Sequence, residues 1–333
     1  MKPYLFKAIP FLLILLGLDA VLFVFSFELG NTFPPQERTL LSHHLKTQGV
    51  ILGTSHAEQG IVPSVLKEST GLDWYNFGRA RRNLVFNRHY SEAMWDAGLK
   101  PKMVVLVATY HDWNEGTHSY MIRNFLKSGE ATPLLMDFIL DRHLLNPRTW
   151  LLSDQYSSTH RMMFSRTLSW LKNRNVELPF SAHQENGFGG SSKTLEPKPQ
   201  PKSFDLYPWK VKKLNLQAFI QTLDFWTSHQ VSIVVVDPPE YLGSRLSHGD
   251  YELYRQTVSE LCRERGVPYK SFSEPGQPIV EDPSLFRDGD WGHPNSHLNT
   301  RGAIRFSKIL ANWLEQVVPQ SEKPIVPVHP SVP

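Results

Sequence analysis

The sequence predicts an α/β fold built on a parallel sheet, and two features of the chain lead to that prediction. Short apolar runs rich in β-branched residues, at 102–109 and at Ser232–Asp237, are typical of strands that are buried on both faces. Amphipathic segments with the helical spacing of apolar residues alternate with such runs. Strands that are separated by helices favour a parallel sheet with helices packed on both of its faces.

The other elements of the core are predicted in chain order. Residues 50–53 are predicted as the first strand and residues 73–77 as the second, with a helix between them that begins near Pro63 and ends before Gly71. The later predicted elements are a helix that ends at Gly98, a helix that ends at Gly266, a weaker strand at 267–272 and a last helix around 306–314.

The N-terminal segment predicts a membrane anchor. Residues 8–27 are almost entirely apolar, with Asp19 as their one charge, and about 20 apolar residues cross a bilayer core. Lys2 and Lys7 precede this run and Glu28 follows it, which favours a cytoplasmic N-terminus. A cleaved signal peptide is the alternative, but no small-x-small site follows the run. We predict a single-pass protein of the cytoplasmic (inner) membrane, with its C-terminal domain extracytoplasmic or periplasmic.

The chain is predicted to have four parts. They are the anchor (1–28), a polar linker (29–46), one α/β domain (47–318) with a helical insertion at about 113–210, and a Pro-rich tail (319–333). Within the insertion, the Gly-, Ser- and Pro-rich stretch 185–203 is predicted to be an exposed loop.

Composition excludes several classes of protein. A formal net charge of +3 over 333 residues, without a cluster of Lys and Arg, predicts no nucleic-acid partner. The single cysteine, Cys262, cannot close an internal disulfide, and 41% hydrophobic residues argue against disorder.

Candidate site residues follow the predicted strands, because ligands of parallel α/β sheets bind beyond the carboxyl ends of the strands. Ser55 follows the first strand at the start of a helix, where the dipole and free N–H groups can stabilise an oxyanion. A nucleophilic serine needs a base and a carboxylate that orients it. His297, with Asp288 or Asp290, supplies those residue types before the last helix.

Two further strand ends offer hydrogen-bond donors. Gly78 follows the second strand and offers a backbone N–H that no side chain shields. His111 and Asn114 follow the third strand.

These stretches together resemble the SGNH (GDSL-type) hydrolase superfamily. The first block is ILGTSHAEQGI, the second is WYNFGRA and the last is HLNTRGAIRFS, and the resemblance covers roughly 47–112 and 230–317. It implies a flavodoxin-like three-layer sandwich and ester or acyl-transfer chemistry. It also implies that Ser55 is the nucleophile, that Gly78 donates to the oxyanion and that His297 is the base.

The sequence departs from the pattern of that superfamily at the acid. The superfamily places the acid three residues before the base, where this chain has Pro294, so Asp288 or Asp290 would serve across a short insertion. Alternatively, Asp290 and His293 form the acid–base pair and His297 is structural. We favour His297, since Leu298, Asn299 and Gly302 follow it in the pattern of the last block.

A second departure lies after the third strand. An asparagine normally completes the oxyanion hole there, whereas this chain has His111, and Asn114 is the nearest asparagine.

The polar residues also allow other interpretations. Metal ligation by His293 and His297, or by His111, Asp112 and His118, lacks the helical spacing that would make it specific, so neither a metal nor a cofactor is predicted.

Two further groups of residues flank the site, and each has a functional and a purely structural interpretation. They are Arg79, Arg81 and Arg82 (anion binding or a solvated loop) and Trp113 and Trp291 (sugar stacking or core).

The sequence thus predicts a membrane-anchored, SGNH-like serine esterase or O-acyltransferase. Its expected substrate is an acylated envelope glycan or polymer, or another ester, and its expected partners are the membrane and a multi-pass membrane acyltransferase contacted by Asp19. The alternative is a non-catalytic SGNH-like module that binds a ligand or assembles a membrane complex.

Overall fold

The computed structural model describes residues 45–80, 82–113, 186–194, 208–245, 248–287 and 297–317. These residues all belong to one compact unit of the chain. The predicted anchor and the Pro-rich tail lie outside the described residues, as do most of the linker and most of the helical insertion. Within the described ranges, no helix combines the length and the apolar character that crossing a membrane requires.

Five strands form one parallel sheet. They are β1 (Gly49–Leu52), β2 (Trp74–Asn76), β3 (Met103–Val107), β4 (Ser232–Asp237) and β5 (Tyr269–Ser271). Their order across the sheet is β2-β1-β3-β4-β5, and every neighbouring pair is parallel. This is the strand order of flavodoxin-like doubly wound sheets. The predicted α/β class with a parallel sheet is confirmed.

Helices lie between the strands and after the last one. They are α1 (Ser55–Gly60), α2 (Pro63–Thr70), α3 (Leu84–Asp96), α4 (Lys213–Ser228), α5 (Leu242–Arg245), α6 (Tyr251–Arg263), α7 (Pro278–Glu281) and α8 (Thr300–Val317). Short 3-10 helices lie at Tyr110–Trp113 and Pro283–Leu285. The predicted boundaries of α2 are borne out, since Pro63 opens it and Gly71 closes it with left-handed backbone (φ 70°).

Both faces of the sheet are buried. Ile51 and Val105 point to one face, where they share a core cluster with Phe306 of α8. Val50 and Val104 point to the other face and are 0% exposed. Helix α8 packs on α1 and α2, whereas α3 and α4 pack on each other. Because β3 and the centre of β4 are buried on both faces, their sequences are continuous runs of apolar, mostly β-branched residues.

One expectation about the insertion is wrong at Phe188. The sequence predicts an exposed loop at 185–203, and residues 192–194 are exposed, yet Phe188 is 3% exposed and belongs to the core cluster. Hydrogen bonds fix the backbone on either side of Phe188. Asn76 N–H donates to Asn186 O at 2.9 Å, and Gly189 N–H donates to Glu58 O of α1 at 2.8 Å. One buried aromatic and these backbone bonds outweigh the polar composition of the neighbouring residues.

Candidate active site

The carboxyl end of β1 leads directly into the candidate nucleophile. Ser55 is the first residue of α1, after the extended N-cap residue Thr54. Its Oγ lies 2.5 Å from Nε2 of His297, a residue 242 positions later in the chain. The structure therefore brings together the two residues that the sequence singles out as nucleophile and base.

The backbone around His297 is fixed by a small hydrogen-bond network ahead of α8. Arg287 N–H donates to His297 O at 3.0 Å, and Leu298 forms an antiparallel bridge with the same segment. The side chain of Asn299 donates to Ser284 O at 2.8 Å and accepts from Gly302 N–H at 3.0 Å. The Leu-Asn-x-x-Gly pattern after the histidine is thus explained by its role in placing the imidazole at the end of β1.

The electrostatic surroundings keep His297 neutral at neutral pH. Burial, together with the guanidinium of Arg287, lowers the pKa of His297 to about 4, while the carboxylate of Glu58 acts in the opposite direction. The ring of His56 stacks on that of His297, with centroids 4.2 Å apart and planes 22° apart. The pKa of His56 is also lowered well below its usual value, by burial and then by His297. A neutral imidazole has a lone pair that can accept the serine proton.

The loop after β2 packs tightly on α1 through Asn76 and Gly78. A Cβ on Gly78 would lie 2.5 Å from Ala57 Cβ, so no larger residue fits without movement. The Gly78 N–H donates to Asn76 Oδ1 at 2.9 Å, and Asn76 Nδ2 donates to Ala57 O at 2.7 Å and to Ile61 O at 2.9 Å. The Gly78 N–H, which is the predicted oxyanion donor, is therefore already hydrogen-bonded within the protein in this structure.

The same loop is also anchored by an ion pair. Glu58 of α1 accepts from Arg79 Nη1 at 3.1 Å and from Ala80 N–H at 2.9 Å. Arg82 is 0% exposed, donates to Phe77 O at 3.0 Å and lies over the ring of Phe86. Neither an anion-binding nor a solvated role fits Arg82, because aromatic rings and backbone surround it.

The turn after β3 separates its candidate residues. The His111 side chain is exposed, and its Nε2 lies 3.1 Å from Nε2 of His248. Asp112 is buried, and its carboxylate accepts from Thr109 N–H at 2.6 Å, so it stabilises the turn in which it lies. Trp113 is 0% exposed and packs on Phe219, which excludes it from a sugar-stacking surface.

Several predicted residues lie outside the described part of the chain. They are Arg81, Asn114, His118, Asp288, Asp290, Trp291 and His293.

Other polar residues at this edge of the sheet escape sequence reasoning. Asn76 precedes the glycine of the second block, and its location at a strand end is the one available signal. Glu240 and His248 lie in separate loops and are close to His111 in the folded chain. No regular spacing in the sequence predicts that cluster.

Comparisons with known proteins find similarity among solved structures. No known family matches the chain, and no curated protein matches it. Among solved structures, it is similar to a protein of Desulfitobacterium hafniense DCB-2 that is described as lipolytic and of the G-D-S-L family. The sequence identity is 10% and the TM-score 0.38, over 81% of this chain and 99% of that chain.

Proposed function

We propose that this chain is a membrane-anchored, SGNH-like serine esterase or O-acyltransferase. The observation that carries the proposal is the 2.5 Å contact between Ser55 Oγ and His297 Nε2 at the carboxyl edge of the sheet. A serine at a helix start, in hydrogen-bond contact with a neutral imidazole, has the arrangement that acyl transfer needs. The proposed acid is Asp290 or Asp288.

The proposed reaction has two halves. His297 Nε2 takes the hydroxyl proton of Ser55 as Oγ attacks the ester carbonyl, and the tetrahedral intermediate expels the alcohol, which receives that proton. The resulting acyl-serine is then attacked by water (esterase) or by a sugar hydroxyl (transferase), with His297 as base again. In this half the C–O bond to Ser55 breaks, and His297 returns the proton that it took from the acceptor to Ser55 Oγ, which regenerates the serine.

The oxyanion needs N–H donors, and we assign the first to Ser55 itself. Its N–H lies in the first turn of α1, where backbone N–H groups have no intrahelical acceptor. Gly78 is the second proposed donor, and its N–H becomes available when the bond to Asn76 Oδ1 opens. His111 or Asn114 is the proposed third donor.

The proposed setting is the outer side of the cytoplasmic membrane. The apolar run 8–27 supports an anchor, and an anchored ester-transfer enzyme suits an acylated envelope glycan or polymer as substrate. Asp19 within that run is the proposed contact for a multi-pass acyltransferase partner. Membrane fractionation and protease accessibility of the full chain, compared with a chain lacking residues 1–28, test this placement.

Reaction with a fluorophosphonate probe tests the catalytic proposal. The full-length protein should form a covalent adduct, and Ser55→Ala should abolish it. His297→Ala should slow it by at least about 100-fold, since general-base catalysis contributes on that order. Ser259→Ala is the matched control, because Ser259 is an exposed serine on α6. Equal labelling of wild type and Ser55→Ala would overturn the proposal.

A non-catalytic module is the second candidate function. The engaged N–H of Gly78 favours it, because an oxyanion hole that is already filled by Asn76 binds no tetrahedral intermediate. The probe separates the two candidates. Absence of any adduct with a folded wild-type protein would favour a binding or assembly role for this edge of the sheet.

A further inference from the structure

A second cluster of polar side chains lies at the carboxyl edge of the sheet, and it includes neither Ser55 nor His297. It consists of His111 after β3, Glu240 after β4 and His248 ahead of α6. One ligand atom from each of these residues lies within 4.8 Å of the other two. We propose that this cluster binds a divalent transition-metal ion such as Zn²⁺, with Nε2 of His111 and Nε2 of His248 as ligands.

The distance between the two imidazoles supports this assignment. Their Nε2 atoms lie 3.1 Å apart. Two nitrogens that each bind one tetrahedral Zn²⁺ at about 2.0–2.1 Å are about 3.3 Å apart. The pair therefore binds an ion with only a small side-chain adjustment. Imidazole is a preferred ligand of Zn²⁺ and its neighbours in the first transition series.

The cluster is also preorganised. The His248 ring stacks on Tyr110, with centroids 4.2 Å apart and parallel planes, so its orientation is fixed. Glu240 Oε2 lies 3.5 Å from Nδ1 of His248, on the side of the ring away from His111. Within the described residues, that buried Nδ1 has no hydrogen-bond partner. A short shift of Glu240 would give Nδ1–H an acceptor, and a carboxylate behind a ligating histidine is the usual arrangement at metal sites.

The site is open on one side. His248 and Glu240 are 6% exposed, whereas His111 is exposed. Two protein nitrogens leave the remaining coordination positions to water or to an oxygen of a bound molecule. The ion reaches the site from solvent past the His111 ring, with no need to open the core.

Equilibrium dialysis of the full-length protein against Zn²⁺ tests the proposal. The protein is prepared without a polyhistidine tag, because such a tag binds Zn²⁺ itself. Bound metal is measured by mass spectrometry. Wild type should bind one ion per chain, and His111→Ala should lower binding to background. Glu240→Gln should weaken affinity about 10- to 100-fold, which is usual for loss of a carboxylate behind a ligand. Co²⁺ in place of Zn²⁺ should give a tetrahedral absorption spectrum.

Matched variants keep the outcome unambiguous. His229→Ala, at the end of α4, should bind Zn²⁺ as wild type does. His111→Ala should fold, since its ring is exposed, and Zn²⁺ should raise the Tm of wild type but not of this variant. Ser55→Ala should also bind one ion, so that failure of the hydrolase proposal leaves this result intact. No binding by wild type, or equal binding by His111→Ala and wild type, would overturn the metal site.

Discussion

The imidazole of His56 lies stacked on the imidazole of His297, with 4.2 Å between the ring centroids. The two rings come from α1 and from the segment before α8, so this contact joins the nucleophile's helix to the base. It also covers one face of His297, and burial is the main cause of that residue's lowered pKa. His56 therefore packs against the proposed base and contributes to its burial.

Removal of the His56 ring should raise the pKa of His297 towards its usual value. In His56→Ala, water replaces the ring and the protonated form of His297 becomes easier to form. In His56→Phe, a ring still covers His297 and the pKa should stay low. The measurement is kcat/KM for p-nitrophenyl acetate against pH, in which the acid limb of His56→Ala should move to higher pH. Identical acid limbs for Ala and Phe would contradict a positioning role of this ring.

Neutralisation of Arg287 should shift the same limb in the same direction. The pKa of His297 is about 4, and the Arg287 guanidinium is the second cause of its lowering after burial. Activity of wild type should therefore persist at about pH 5 and decline with a midpoint near 4, because His297 must be neutral to accept the proton.

Arg287→Gln removes the cation and should move that midpoint upward. Arg263→Gln is the matched control, since Arg263 is exposed on α6. Titration of His297 by NMR gives the pKa directly. A midpoint for Arg287→Gln at or below that of wild type would show that Arg287 does not act on His297.

The sequence predicts the sheet and the serine–histidine pair for related physical reasons. Strands buried on both faces have to be apolar throughout, so β3 and β4 are visible as runs of β-branched residues. Ser55 and His297 each lie where a strand or loop meets a helix, and parallel strands end at one edge. Residues at those junctions can therefore be expected to meet.

The structure adds contacts that leave no pattern in the sequence. His111, Glu240 and His248 belong to three loops, and only the folded chain defines their spacing. Phe188 is buried, although it belongs to a segment whose composition predicts exposure. The prediction fails because a single aromatic residue changes the average composition of a Gly- and Ser-rich segment very little. Arg82 is buried among aromatic rings, although charge alone suggests a solvated position.

Substitution of Gly78 by Ala should damage the site and the stability of the protein together. The added Cβ would lie 2.5 Å from Ala57 Cβ and 2.6 Å from Glu58 N, so the loop must move away from α1. We expect a loss of about 1–3 kcal/mol in the free energy of unfolding, as for other overpacked sites. Reaction with the fluorophosphonate probe should also fall.

Gly60→Ala is the matched control for this substitution. Gly60 ends the same helix, and its added Cβ would meet nothing nearer than Leu298 Cδ1 at 3.9 Å. This variant should unfold at the wild-type urea concentration and label at the wild-type rate. Equal stability of the Gly78→Ala and Gly60→Ala variants would refute the close packing of the loop on α1.

Asp237, at the end of β4, should make the stability of the protein depend on pH. This carboxyl is 3% exposed and accepts hydrogen bonds from the Tyr251 hydroxyl and from Ser271 Oγ. Burial nevertheless raises its pKa from 3.8 to about 6. Since the folded state binds the proton more tightly than the unfolded state, the contribution to stability is complete below pH 3.8 and is lost as the pH rises through 6. The loss amounts to about 3 kcal/mol at neutral pH.

Asp237→Asn keeps an acceptor for both hydroxyls but cannot ionise. The free energy of unfolding of this variant relative to wild type should therefore increase between pH 4 and pH 7 by up to about 3 kcal/mol. Urea unfolding of the full-length protein at several pH values measures it, and the subtraction cancels groups that titrate in both proteins. Asp96→Asn, which changes an exposed acid at the end of α3, should show a flat difference. A flat difference for Asp237→Asn as well would mean that Asp237 ionises as readily in the folded protein as in the unfolded chain.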